Sequence, residues 1–336
     1  MVDATHRRFI ASDRSYYAIV KREAHNMALA ADFSEKRIAE MDIVLAEMTS
    51  NLHKYAKDGE ILVGHFKTTE AEYIELISLD NGPGMADPAK MLTDGFSSTS
   101  TIGHGLGSIK RLSDFFEIYS LKGWGTILVS RIYKIRPDKL LKRKPIDIGA
   151  VVIAKPPETV SGDGYYLKSA GKLAKLIVAD GLGHGPEANH AVNEAVRAFK
   201  SCTDNSPTEI IRYLHAAVRK TRGLVATIVV FDFESKTYQI AGVGNIATKF
   251  AGIGQYKNHL SYNGIIGHNI PNTMNDQLLS FQDYGQVILC SDGIRSRWEL
   301  NKYPGILRYD LTMQAAVIYK EYGRLTDDMS VIIVKL

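Results

Sequence analysis

The stretch "DGFSSTSTIGHGLGSIKRLSDFF", Asp94–Phe116, sets four glycines and the hydroxyl run Ser97–Thr101 beside a segment with helical spacing. Glycine lets a backbone approach a ligand closely, and the free N–H groups at a helix start favour anions. The stretch reads either as a plain loop or as a lid over phosphates. Gly103, Gly105, Leu106 and Gly107 lie where the helix should begin. No strand feeds directly into the glycines, so this is not a dinucleotide fingerprint.

Two earlier segments bear on the choice. In Ser34 to Ala56 the apolar residues Met41, Val44, Leu45, Met48, Leu52 and Tyr55 recur at helical period. Within "EMTSNLHKYA", Glu47 and Asn51 are four apart and share a face of that helix. Lys54 lies along the same stripe; it and Arg111 read as solvated surface. The strand "YIELISL" then runs into "SLDNGPGM", where Asp80 ends the strand and Gly82 and Gly84 flank Pro83 in a turn. An acid at a strand end can accept a hydrogen bond from an exocyclic amine. "FEIYS-LKGWG-TILVSRIY" reads as a glycine-closed hairpin.

The order Glu-x-x-x-Asn, Asp-x-Gly-x-Gly, Gly-x-Gly-x-Gly resembles the Bergerat-fold (GHKL) ATPases, which include histidine kinases, gyrase and the anti-sigma-factor serine kinases. Within that family the opening stretch, "DNGPGM" and "GWGT" look most like the stressosome switch kinases, over roughly residues 10 to 134. The resemblance implies an ATP lid. It implies that Asp80 binds the adenine amine with Thr126 nearby, that Asn51 coordinates Mg²⁺, and that Glu47 orients or deprotonates an attacking hydroxyl. Gly82, Gly84, Gly103, Gly105, Leu106 and Gly107 complete the implied ATP site. No phospho-accepting histidine box precedes the domain, which favours a serine/threonine kinase over a two-component kinase.

Lys134–Pro145, "KIRPDKLLKRKP", carries six basic residues against one acidic and reads as a linker, or as a docking strip for an acidic partner. Beyond it come the strands "IGAVVIA", "GYYLKSA" and "AKLIVAD", two helical stretches, Pro186 to Phe199 and Pro207 to Lys220, and four more strands. The expected class is α+β, with domains over 1–134 and 147–336 joined by a linker over 135–146.

The second half places aspartates at strand ends: Asp163, Asp180 before Gly181, Asp292, and the pair Asp327 and Asp328. Hard divalent cations take carboxylate, carbonyl and water oxygens. "GDGYY", "ADGLGHG", "ATIVVFDF", "AGVGN", "CSDGI" and "DDMSVIIV" resemble, in order, the SpoIIE-like branch of the metal-dependent (PPM-type) protein phosphatases. The resemblance implies an α-β-β-α sandwich and two Mn²⁺ or Mg²⁺ ions held by Asp180, the Gly181 carbonyl, Asp292 and Asp327. Asp163 would stand at the edge of the site as a further catalytic acid. Asp328 is the alternative register to Asp327. His184 reads as a structural histidine that can also protonate a leaving group, and Cys290 as buried strand.

The 336 residues carry a net charge of +4, which does not argue for nucleic acid. Two cysteines without a CxxC make a disulfide framework or thiolate metal site unlikely. No apolar signal region opens the chain and no stretch would span a bilayer, so a cytoplasmic protein without membrane contact is expected. The two resemblances together imply a bifunctional kinase and phosphatase acting on STAS-domain phosphoproteins, with a sigma-pathway or output enzyme as a further partner. Oligomeric state stays open, a dimer included. Two other readings stand beside it. In one the N-terminal half only binds a partner in an ATP-dependent way. In the other the chain is a non-enzymatic scaffold, which the acidic residues argue against.

Overall fold

The computed structural model describes residues 5–11, 14–68, 71–88, 105–136 and 145–336. Residues 94–104 of the opening stretch, Gly103 among them, lie outside the described residues, as does most of the basic linker. The chain divides into two compact units. The N-terminal unit holds 6–142 and 308–313, and the C-terminal unit 1–5, 143–307 and 314–336.

The N-terminal unit builds one antiparallel sheet, in the order β1 (His6–Ile10), β2 (Glu60–Lys67), β3 (Glu72–Asp80), β5 (Gly125–Tyr133), β4 (Phe115–Leu121). Helices α1 (Arg14–Ala30), α2 (Glu35–Tyr55) and α3 (Gly105–Leu112) pack over it. The α2 helix starts where the Ser34 side chain accepts from the Arg37 N–H, which satisfies a donor the first turn leaves free. Its residues Ile38, Met41, Leu45, Met48 and Leu52 are fully buried at the period of a helix, and they form the core with Ile61, Val63, Ile74, Leu76 and Ile109. Tyr55 departs from the expected stripe. It is the last residue of α2, where the chain turns extended at Ala56, and is 46% exposed. In the segment 308–313, Asp310 accepts from the buried Arg131 guanidinium at 2.6 Å.

The C-terminal unit has two five-stranded antiparallel sheets. One runs β12 (Gln255–His259), β11 (Ala247–Gly252), β14 (Gln286–Cys290), β15 (Met329–Lys335), β6 (Asp147–Ile153). The other runs β13 (Gln277–Ser280), β10 (Thr237–Val243), β9 (Leu224–Asp232), β8 (Leu173–Gly181), β7 (Asp163–Ala170). Helices α4 (Pro186–Ser201) and α5 (Pro207–Ala217) cover the second sheet. A further helix, α6 (Leu311–Tyr322), enters this unit from residue 314. All but the last residue of β9 are buried, as a strand covered on both faces requires. The α+β class stands. Among the described residues no helix is long and apolar enough to cross a membrane.

Candidate functional sites

In the N-terminal unit two of the three motifs meet directly, and the third lies against the end of α2, where the Asn81 N–H donates to the Lys57 carbonyl at 2.8 Å. Glu47 and Asn51 share one side of α2, and the start of α3 lies against them. A Cβ built on Gly105 would stand 2.8 Å from Glu47 Oε2 and 3.6 Å from Asn51 Oδ1, so a side chain there would push the Glu47 carboxylate aside. Leu106 packs against the core, and Gly107 is buried in α3. Asp80 is the last residue of β3 and pairs directly with Thr126 of β5. Its Oδ1 accepts from the Gly82 N–H at 2.7 Å, which fixes the carboxylate at the turn. Gly84 has a φ of +66°, and a Cβ there would meet the Leu121 carbonyl at 1.9 Å. Thr126 Oγ1 lies 2.9 Å from Ser120 Oγ, and Ser120 accepts from the Met85 N–H. The acid, the turn and the hairpin are therefore one hydrogen-bonded block. Lys54 and Arg111 are exposed, and Arg111 donates to Ser108 Oγ at 3.1 Å.

In the C-terminal unit the strand-end aspartates gather at one end of the two sheets. Asp180, Gly181, Asp292 and Asp327 line a cavity of about 350 Å³, together with Leu182, Gly183, Val225, Gly244, Asn245, Asn263 and Gly264. Asp163 does not line it. It pairs with Asp180 across β7 and β8, is 2% exposed, and accepts from Ser291 Oγ at 2.5 Å. Its other oxygen, Oδ1, is buried with no hydrogen-bond partner among the described residues. Burial first, then the acids around it, pushes Asp180 up to about 10. Burial likewise raises Asp163 to about 8. Such a crowd of acids is a site in want of positive charge.

The donor set fits hard divalent cations. Among the described residues no group of three or more His, Cys, Asp and Glu side chains can hold an ion by itself. The Gly181 carbonyl and water oxygens would complete a shell, as is usual for Mg²⁺.

The two neighbouring aspartates have different surroundings. Asp327 faces the cavity. Asp328 is 3% exposed and accepts from the N–H groups of Lys155 and Gly162, each at 2.8 Å. It clamps the loop before β7. His184 Nδ1 lies 3.0 Å from Glu158 Oε1. Cys290 ends a buried strand, and burial pushes its thiol up, so no thiolate nucleophile is offered. Sequence reasoning missed two partners. Asn245 donates to Asp292 Oδ2 at 2.9 Å, and Ser291 holds Asp163. Asn245 closes the "AGVGN" motif, the one signal that pointed to it.

Comparison with known proteins agrees with both halves. The histidine kinase-like ATPase domain family matches residues 10–132. The chain is 33% identical over 101 residues to the serine/threonine-protein kinase RsbT of Bacillus subtilis, a match covering 30% of this chain and 76% of that protein. It is 32% identical over 96 residues to the phosphoserine phosphatase RsbX of the same organism, covering 27% of this chain and 46% of that protein. A solved structure described under the bacterial stressosome as a modular system matches with a TM-score of 0.53 and 30% identity, over 57% of this chain and all of that one. The structure of RsbX in complex with magnesium shares the fold, with a TM-score of 0.51 and 20% identity over 58% of this chain and 98% of that one. That span is longer than the N-terminal unit, so the likeness takes in the C-terminal unit.

Proposed function

We propose, for a chain that belongs to the histidine kinase-like ATPase family and joins that domain to a PPM-type phosphatase, a bifunctional signalling enzyme with opposed activities on protein serine or threonine. The observation that carries the reading is the assembly in one chain of two acidic sites, Glu47 and Asn51 against Gly105, and the aspartates around one cavity. The names of the relatives point to partner switching, and STAS-domain proteins are the proposed substrates. A cytoplasmic location fits these roles.

In the N-terminal site, Asp80 would accept from the adenine amine beside Thr126. Asn51 would hold Mg²⁺ against the phosphates, and the backbone at Gly105, Leu106 and Gly107 would face them, with Gly103 proposed beside it. Glu47 would take the proton of a serine or threonine hydroxyl as its oxygen bonds to the γ-phosphorus and ADP leaves. Such transfer is mostly positioning and charge neutralisation. In the C-terminal site, Asp180, Asp292, Asp327 and the Gly181 carbonyl would hold Mn²⁺ or Mg²⁺, with Asn245 orienting Asp292 and Asp163 supporting Asp180 from behind. When bound, such ions neutralise phosphate charge and acidify water. Water would attack phosphorus, and the serine or threonine oxygen would leave with a proton.

The test of the N-terminal half separates catalysis from binding. Wild type should bind Mg-ATP by calorimetry and phosphorylate a STAS protein. Asp80→Asn should bind ATP more weakly. Glu47→Ala should bind ATP and lose transfer by about 100- to 10,000-fold. ATP binding without transfer by wild type would make this half a partner-binding module.

A further inference from the structure

The aspartate-lined cavity has a gap in its chemistry. Its lining includes three aspartates and two asparagines but no lysine or arginine. A phosphomonoester near neutral pH carries close to two negative charges and three acceptor oxygens. Ions held among the aspartates answer part of that charge. A side-chain donor for the outward oxygens has to come from the rim.

Arg222 stands there. It sits on the turn before β9, and its neighbours fix that turn. Thr221 Oγ1 donates to the Val218 carbonyl at 2.8 Å and accepts from the Gly223 N–H at 3.1 Å. His268 Nε2 lies 2.8 Å from the Arg222 carbonyl. The Leu182 N–H donates to the Gly223 carbonyl at 3.1 Å, which ties the turn to the cavity wall. The side chain follows the backbone to that wall. A Cβ built on Gly183, itself a lining residue, would lie 2.9 Å from Arg222 Nη1. The arginine is exposed, and among the described residues its guanidinium has neither an ion pair nor a hydrogen bond. An arginine that rests on the wall of an acid-lined cavity with no pairing partner among the described residues has its five donors free for an anion.

We propose that Arg222 binds the outward oxygens of the substrate phosphate at the mouth of the cavity, and so sets the preference of this site for phosphomonoesters. The planar guanidinium meets two phosphate oxygens at once, which an ammonium does not. The proposal rests on the phosphatase reading of the C-terminal unit.

The test uses the full chain with saturating Mn²⁺. Hydrolysis of para-nitrophenyl phosphate and of a phosphoserine peptide is followed for wild type, Arg222→Ala and Arg222→Lys, with inorganic phosphate as inhibitor. Arg222→Ala should raise KM for both substrates, and the inhibition constant of phosphate, by about tenfold, the scale of one exposed charge-assisted contact. Arg222→Lys should fall between, and Mn²⁺ affinity and the melting midpoint should stay at wild-type values. Unchanged KM and unchanged phosphate inhibition in Arg222→Ala would overturn the proposal. An effect on the peptide alone would also overturn it, by placing Arg222 on the partner protein instead of its phosphate. So would a joint loss of Mn²⁺ affinity and thermal stability, which marks a structural role. Absence of hydrolysis by wild type would overturn the phosphatase reading itself, and this proposal with it.

Discussion

Asp180 and Asp163 face each other across neighbouring strands, and burial together with nearby acids raises both above the usual carboxylate range. An unfolded aspartate loses its proton near pH ~3.9. With Asp163 at about 8 and Asp180 at about 10, the metal-free folded chain binds more protons than the unfolded chain across neutral pH. Its stability therefore falls as pH rises from the unfolded value towards the folded ones. Cation uptake must displace those protons, so Mn²⁺ affinity should climb from about pH 6 to about pH 9. Calorimetry in two buffers of different ionisation enthalpy should show proton release, and a pH-independent affinity without release would contradict this. Asp180→Asn and Asp292→Asn should each loosen Mn²⁺ and collapse phosphatase turnover. In EDTA, the melting midpoint of Asp180→Asn should be no lower than that of wild type, because the repulsion is relieved. The adjacent acids should separate in the opposite way. Asp328→Ala strands the Lys155 and Gly162 N–H groups and should cost about 1–3 kcal/mol per unsatisfied donor in metal-free denaturation. Asp327→Ala removes the acceptor of only one N–H, that of Asp328 at 2.9 Å, so it should cost less of that stability and weaken Mn²⁺. Reversed results would exchange the two roles.

At the scale of elements, a helix start has been fitted around a carboxylate. Gly105 opens α3 directly against Glu47 of α2. Alanine is the better helix former by about 0.5–1 kcal/mol, so Gly105→Ala should not weaken the helix. Its Cβ would nonetheless stand 2.8 Å from Glu47 Oε2 and push the carboxylate aside. A displacement of that size at a reacting group costs up to ~100-fold. Transfer from ATP should drop at least tenfold with the melting midpoint kept, and full transfer activity would show that Glu47 does not need this place. Much of this arrangement was legible in the sequence because each motif is local. The "SLDNGPGM" turn and the "GWGT" hairpin each announce a tight bend, and their pairing puts Asp80 opposite Thr126. Contacts between distant residues were not legible. Ser291 reaches Asp163 across 128 positions and Asn245 reaches Asp292 across 47, and no periodicity records such a meeting. The choice between Asp327 and Asp328 likewise turns on which carboxylate meets the 155–162 loop. Tyr55 is exposed at the end of α2, and helical spacing does not show where the helix stops.

For the whole molecule, the two activities proposed for one chain would pose a problem of balance. Each unit has its own core and its own candidate site, so a substitution in one site should leave the activity proposed for the other unchanged. That independence can be tested in one experiment. Phosphate carried by a STAS-domain protein is followed at steady state with ATP, Mg²⁺ and Mn²⁺, using the full chain as wild type, Glu47→Ala or Asp180→Asn. Glu47→Ala should give no incorporation, wild type an intermediate level, and Asp180→Asn near-complete phosphorylation, if both activities are present. No incorporation with Asp180→Asn, or equal levels with Asp180→Asn and wild type, would contradict it.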